Sequence, residues 1–323
     1  MNNVKLAILI LFVLKTNFFV FAQDVQFSQL FADRLYLNPA YAGAQYCPRI
    51  SLSYRNQWVG IQFPFQTYSV SYAQYSETLK GGIAVRLMSD NQADVFQQFN
   101  ADVIYAHHVK FNTAGILSFA FEVSLFQRSV NTDELVFADM IDPRYGVIYS
   151  NTENIDIQPL LTPDFSVGVL YNYKYYFAGI NISHIPQNIV QNHNVYLPVK
   201  VLAHAGAAIP FRGNDPRNPV FVIEPNIIYI NQQAFNMLYY GMYFDVSNVS
   251  MGAFFRQDLK MHFDALVLSL HMDIKHLKIG YSYDVTLSRL FKHSWGTHEL
   301  SLVYLFNCRK KIKDYQTISC PEF

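Results

Sequence analysis

Charge is scarce in this 323-residue sequence: Asp, Glu, Lys and Arg make up 15%, where a soluble domain carries about a quarter. Basic and acidic residues balance at 24 each, so no positive field is available to gather nucleic acid. Tryptophan occurs twice, against 27 Phe and 23 Tyr. Beyond residue 23 no apolar run approaches the roughly 18 residues of a membrane-spanning helix. G-x-S-x-G, P-loop, C-x-x-C and H-E-x-x-H patterns are all missing, so no motif selects a catalytic centre. What is plentiful is hydrophobic (51%) and aromatic (16%) residues. That composition excludes disorder and suits a β-rich chain with much surface half in apolar and half in polar surroundings.

The N-terminus reads as an export signal. Met1–Lys5 is a short positive start, Leu6–Leu14 a continuous apolar run, and Val20-Phe21-Ala22 offers a small residue before Gln23. The run is too short to cross a bilayer as a helix and fits a signal peptide over 1–22, cleaved after about Ala22; a buried N-terminal core segment is the alternative. Gln23 is not Cys, so lipoprotein processing is not indicated. An exported, apolar chain without a membrane helix has one other way to satisfy its backbone in lipid, a closed β-barrel.

Period-two alternation supports that reading. Ile50, Leu52 and Tyr54 share one face of 49–55 while Arg49, Ser51, Ser53 and Arg55 share the other. Leu117, Phe119, Phe121, Val123 and Leu125 oppose Ser118, Ala120, Glu122 and Ser124, and Leu300, Leu302, Tyr304 and Phe306 oppose Glu299 and Ser301. Such strands present apolar groups to lipid and polar groups to a lumen. Fourteen segments follow the pattern: 49–57, 64–75, 81–88, 96–107, 115–127, 163–171, 175–183, 199–210, 219–230, 236–246, 249–257, 263–273, 277–285 and 297–307. Connections after even-numbered segments are short. The long ones, Arg128–Thr162, His184–Pro198 and Thr286–Gly296, all follow odd-numbered segments. Short turns at one end and long loops at the other characterise single-chain bacterial barrels, with the long loops outside the cell. The expected fold class is therefore all-β, a transmembrane antiparallel barrel of the bacterial outer membrane with about fourteen strands. Its expected parts are the signal peptide 1–22, a plug or rim segment 23–48, the barrel 49–308 and a basic periplasmic tail 309–323. A soluble sandwich would leave the missing charge unexplained.

Several motifs are specific in their order. Gln26-Phe27-Ser28-Gln29-Leu30, Leu37-Asn38-Pro39-Ala40-Tyr41-Ala42-Gly43 and Tyr54-Arg55-Asn56-Gln57-Trp58-Val59-Gly60 lie near one end. Gly280-Tyr281-Ser282-Tyr283-Asp284-Val285, Gly296-Thr297-His298-Glu299-Leu300 and Cys320-Pro321-Glu322-Phe323 lie near the other. From residue 23 to the C-terminus the chain resembles the PorP/SprF family of outer-membrane proteins in the type IX secretion system of the Bacteroidota. The resemblance implies a fourteen-stranded barrel that helps export or retain secreted proteins, including gliding adhesins, by engaging their C-terminal sorting domains. It also implies partners in the periplasmic ring and the gliding motility machinery.

Physically, Asn38-Pro39 favours a turn, Gly43 permits positive φ or close backbone approach, and Trp58 suits an interfacial aromatic girdle. Inward-phase charges are expected at Arg55, Arg86, Asp102, Glu122, Glu224, Asp245, Arg256, Asp284 and Glu299. They read either as carboxylates paired for acid–base work or as charge-assisted hydrogen bonds filling the lumen, the second being favoured. Ten histidines offer no zinc spacing, so no catalytic residue, metal or cofactor is expected. Three cysteines permit one disulfide. Cys47 and Cys308 stand at the short-turn ends of the first and last strands, neighbours in a closed barrel, and are expected within bridging reach; Cys308–Cys320 competes.

The reading that results is a non-enzymatic barrel serving type IX secretion. Its long loop, with Asp142-Pro143-Arg144-Tyr145, is expected to meet the exported partner, and its tail, opening Arg309-Lys310-Lys311, the periplasmic machinery. One rival is a FadL-like transporter of hydrophobic solutes, which also carries an Asn-Pro-Ala plug but needs an apolar path through the lumen. Another is a barrel hydrolase with a Ser/His or Asp/His cluster at the outer rim.

Overall fold

The computed structural model describes residues 24–45, 47–111, 115–132, 135–136, 140–142, 144–148, 159–185, 197–212, 219–288 and 290–307. Fourteen antiparallel strands close into a barrel. They are β1 (Arg49–Gln57), β2 (Phe65–Ser76), β3 (Gly81–Gln92), β4 (Phe96–Lys110), β5 (Gly115–Val130), β6 (Leu160–Tyr173) and β7 (Tyr176–Ser183). Then come β8 (Lys200–Ala207, resuming as Ile209–Arg212), β9 (Pro219–Gln232), β10 (Phe235–Val246), β11 (Val249–Gln257), β12 (Phe263–Ile274), β13 (Leu277–Thr286) and β14 (Thr297–Leu305). The ring closes where β1 pairs with β14, from Arg49↔Leu305 to Gln57↔Thr297, and is continuous through β8 on β9. Among the described residues no helix is long and apolar enough to cross a membrane.

Strand number matches the alternation, but several strands run further than expected. β4 reaches Lys110, β5 reaches Val130, and β6 starts at Leu160. These extensions lie beyond the alternating core, where ladder hydrogen bonds rather than side-chain burial keep the backbone extended. The strand expected over 199–210 is split at Ala208, whose N–H turns to the Tyr175 carbonyl.

Burial is inverted relative to a soluble fold. On β1 and β2 the polar Ser51, Ser53, Arg55, Thr67, Ser69 and Ser71 are buried, while Leu52, Tyr68 and Val70 are 40–48% exposed. Apolar side chains facing out all around the ring need lipid against them, since water would charge about 25 cal/mol for every Å². At one end the connections are uniformly short, among them 174–175, 247–248 and 275–276. The longest, 131–159 and 184–199, lie at the other end. Within the first of these, Ile141–Asp142 and Gly146–Val147 form a two-stranded hairpin.

Eight strands leave an interior that side chains alone can fill, and fourteen leave a lumen. Residues 24–45 occupy it. Phe27, Leu30, Phe31, Leu35, Leu37 and Tyr41 are buried there against inward Tyr243, Phe177 and Ile104. The segment starts near the long-loop end, where Asp24 contacts Lys200, and descends to the short-turn end, where Gly43 meets Gly82. A helical turn at Arg34–Leu37 and a 3-10 turn at Pro39–Tyr41 are its regular elements.

Candidate functional site

The chemistry-bearing residues converge on the contact between this plug and the inner wall. β1, β13 and β14 are adjacent, so Arg55, Asp284 and Glu299, all on inward phase, are brought together. Arg55 Nη1 lies 2.9 Å from Glu299 Oε2, and Arg55 Nη2 lies 3.1 Å from Asp284 Oδ2. Arg256 on β11 reaches the same Asp284 oxygen at 3.0 Å and Asp264 at 2.6 Å. The plug completes this cluster. The backbone N–H groups of Ser28 and Gln29 donate to the two Glu299 oxygens at 2.7 and 2.9 Å. The Ser28 hydroxyl donates to Asp284 at 2.6 Å, and the Tyr239 hydroxyl donates to the Ser28 carbonyl at 2.8 Å. Glu299 thus uses both oxygens as acceptors for two consecutive plug amides.

A second cluster lies on β3, β4 and β5. Arg86 pairs with Asp102 at 2.7 Å and Glu122 at 3.4 Å, with its guanidinium 5.5 Å from the centre of the plug's Tyr36 ring. Glu122 also accepts from the Ser166 hydroxyl at 3.2 Å. The third cluster holds the upper end of the plug. Asp24 lies 3.1 Å from Lys200 Nζ and 2.9 Å from His184 Nε2, while His184 Nδ1 lies 2.7 Å from Asp164. Lys200 donates to the Tyr36 hydroxyl at 3.0 Å, and that hydroxyl donates to the Val25 carbonyl. Desolvation by itself would raise the Asp24 carboxyl, but the His184 and Lys200 charges override it and hold it well below the usual carboxylate range. His184, in the loop just past β7, is likewise pulled against its desolvation by Asp24 and Asp164, up to about 10.

Asn38 and Pro39 act inside the lumen. Asn38 Oδ1 accepts from the Ala40 N–H at 2.9 Å, capping the 3-10 turn. Its amide nitrogen donates to the Val169 and Ile180 carbonyls at 3.1 and 3.3 Å. Gly168 makes room: a Cβ there would lie 2.2 Å from Asn38 Oδ1. Gly43 has φ +66°, and its backbone passes so near β3 that a Cβ on Gly82 would stand 1.9 Å from the Ala42 carbonyl oxygen.

The remaining singled-out residues lie elsewhere. Glu224 is buried on inward β9, and Asp245, partly buried near the short-turn end of β10, accepts from the Ser250 hydroxyl. Trp58 stands at the long-loop end of β1 with φ 61° and its ring 5.4 Å from Phe65. Asp142 Oδ1 accepts from the Arg144 and Tyr145 N–H groups at 2.8 and 3.0 Å, and Arg144 lies 5.4 Å from the centre of the exposed Tyr145 ring. Cys47 is disulfide-bonded. Cys308, Pro143, Arg309, Lys310 and Lys311 lie outside the described residues. The neighbouring backbone joins the two chain ends, the Phe306 N–H donating to the Pro48 carbonyl at 2.9 Å.

The inward carboxylates were legible, but their plug partners Ser28 and Gln29 were read only as motif letters. Asp24, Asp164, His184 and Lys200 went unnoticed altogether. The signal available for the first group was arithmetical. Six inward carboxylates are expected against three inward arginines, so some carboxylates need donors from elsewhere. As it stands, each cluster can fix the plug in place. Each carboxylate has at least one oxygen held by an arginine, lysine, histidine, hydroxyl or backbone donor, while Asp102 Oδ1, Glu122 Oε2, Asp164 Oδ1 and Asp284 Oδ1 are buried without a hydrogen-bond partner among the described residues. Among the described residues no group of three His, Cys, Asp or Glu side chains could hold a metal ion. Near the short-turn end a small cavity of about 30 Å³ remains between plug and wall, lined by Arg34, Tyr41, Gln45, Arg49 and Ser71 among others.

A family model described as type IX secretion system membrane protein PorP/SprF matches residues 19–304. No curated protein matches the chain. Among solved structures the CymD monoaromatic hydrocarbon channel is similar with a TM-score of 0.51 at 11% identity, covering 85% of this chain and 93% of its own. A mutant of Rh. blastica porin covers 80% of this chain and 99% of its own, with a TM-score of 0.36 and 7% identity. At such identities the likeness to CymD extends to the barrel fold alone.

Proposed function

Because this chain belongs to the PorP/SprF family of type IX secretion system membrane proteins, we propose that it is a non-enzymatic outer-membrane component that engages exported proteins. In this reading it recognises their C-terminal sorting domains and helps export or retain them, gliding adhesins among them. The observation that supports this most is the filled lumen. Residues 24–45 are tied to the wall by the Glu299, Asp284 and Asp24 clusters. A lumen crossed by ion pairs as well as by a plug fits binding at the two ends better than passage of a hydrophobic solute.

The ends then divide the work. The long-loop end is extracellular, and its hairpin with Asp142, Pro143, Arg144 and Tyr145 meets the client. There an exposed aromatic ring beside a guanidinium supplies both apolar contact and carboxylate recognition. The short-turn end is periplasmic. From it the 309–323 tail, with Arg309, Lys310 and Lys311, reaches the ring components of the machinery. Residues 1–22 are the signal peptide, 23–48 the plug and 49–308 the barrel. Cleavage after Ala22 would start the mature chain beside Asp24, inside the lumen, and an intact mass beginning at Gln23 would check it.

Purification of the tagged protein from its native membrane should bring down secretion-ring components and proteins bearing a C-terminal sorting domain. Arg144→Ala with Tyr145→Ala should weaken recovery of the client but not of the ring, and removal of 309–323 should do the reverse. Neither change altering what co-purifies would overturn both assignments. The FadL-like reading makes the opposite demand, an apolar path through the barrel. Uptake of a hydrophobic solute into liposomes by the intact protein would favour it.

A further inference from the structure

The geometry points to a lipid-embedded sector on the outer rim: the loops joining β1–β2, β11–β12 and β13–β14 lie in the headgroup layer of the outer leaflet rather than in water. These loops are neighbours, because β11, β12, β13, β14, β1 and β2 are consecutive around the barrel. Together they expose Phe63, Leu259, Met261, Leu287, Phe291 and Trp295, the last at 70% of its surface. The short connections elsewhere on the same rim differ. Ala93-Asp94-Val95 between β3 and β4, and Gln233-Ala234 between β9 and β10, expose no large apolar side chain.

The lipid-facing wall below and the aromatic side chains of the loops identify the occupant. Directly below these loops the outward face carries exposed Leu268, Leu270, Tyr281 and Leu300, which belong to the lipid-facing band. The loop side chains lie above that band, past one outward polar row of Gln66, Asn56 and His298 at the strand ends. Trp295 folds back over the β1–β2 loop, its ring within 3.0 Å of where a Cβ on Gly60 would stand, and Trp58 packs on Phe65. Tryptophan is the side chain that prefers the boundary between hydrocarbon and headgroups, one edge apolar and one N–H wet. The turn Phe291–Ser294 also places Lys292 and His293 beside Phe291, the pairing of basic and aromatic groups found where a segment rests on an anionic lipid surface. This sector is turned to lipid, and client contact falls to the opposite arc with the long loops. The inference rests on the outer-membrane reading and adds which loops enter the lipid.

The two tryptophans of the chain, Trp58 and Trp295, both lie in this sector, so intrinsic fluorescence reports on it without a label. The full-length protein is reconstituted into phosphatidylcholine liposomes whose acyl chains are brominated either near the headgroup or near the chain end. In the Trp58→Phe variant, emission from Trp295 should fall about twofold or more with bromine near the headgroup, less with bromine near the chain end, and little with aqueous acrylamide. The unsubstituted protein should behave the same way, which keeps the test sound if the variant folds poorly. Emission quenched by acrylamide and indifferent to either bromolipid would overturn the proposal and leave the sector free for a protein partner. A reporter at Leu268, made as Trp58→Phe, Trp295→Phe and Leu268→Trp together, separates the two levels. If it is quenched by bromolipid while Trp295 is not, only the loop inference falls. If it too is unquenched, the membrane reading falls with it.

Discussion

Substituting Glu299 by alanine removes one acceptor group that serves three donors at once. The Ser28 and Gln29 N–H groups lose partners at 2.7 and 2.9 Å, and Arg55 loses one at 2.9 Å. A buried N–H left without an acceptor costs about 1–3 kcal/mol. Arg55 is not stranded, because Asp284 stays 3.1 Å away, so the full ~3–5 kcal/mol of a broken buried pair does not apply on top. The expected loss is about 3–5 kcal/mol, since the terms share partners and do not add. Glu299→Gln keeps one acceptor oxygen but turns an amide donor toward the other, for an expected loss of about 2 kcal/mol. Urea titration in detergent micelles, read by the heat-dependent gel shift of folded barrels, gives the midpoint. The order should be wild type, then Gln, then Ala, at constant slope. Lys260→Ala, an exposed loop change, should stay within about 0.5 kcal/mol of wild type. A Glu299→Ala protein as stable as the Lys260→Ala control would refute the view that this carboxylate anchors the plug.

Gly82→Ala would drive a Cβ against the Ala42 carbonyl oxygen, 1.9 Å away, and 2.6 Å from the Gly43 nitrogen. Neither backbone atom can swing aside, so about 1–3 kcal/mol should be lost in the same titration, and a neutral result would mean the plug can shift without cost. His184 has its pKa raised to about 10 by Asp24 and Asp164 in spite of burial. A raised histidine contributes fully below its unfolded value, and the contribution is lost as pH rises through 10. The stability advantage of wild type over His184→Gln should therefore be greatest near pH 6 and gone by about pH 11; an advantage that grew with pH would contradict the pairing of His184 with Asp24 and Asp164. Peptide mapping under non-reducing conditions should recover Cys47 joined to Cys308, with Cys320 alkylated; Cys47 joined to Cys320 would instead tie the end of the tail to the barrel mouth.

Alternation along β1, β5 and β14 was legible residue by residue because a strand's two faces are a local property of the chain. Loop parity was legible too, since connection lengths can be read without knowing any contact. The inward phase of Arg55, Arg86, Asp284 and Glu299 followed directly. The plug was harder. Residues 24–45 follow no single period, so their motifs marked a non-strand segment without showing its path. His184 and Lys200 lie 160 and 176 residues from Asp24 in sequence and sit at strand ends, where periodicity stops. No pattern in the chain couples them.

Composition and period two, acting alone, thus determined a barrel with apolar residues outward, because the side a residue faces depends only on its neighbours in the strand. Tertiary structure decided which charges meet. Closure of β1 onto β14 sets Arg55 beside Glu299, and the descent of the plug brings Ser28 and Gln29 to that carboxylate. Those contacts depend on register and on the path of a segment through the lumen, both of which are settled by packing across the whole ring rather than by any stretch of sequence.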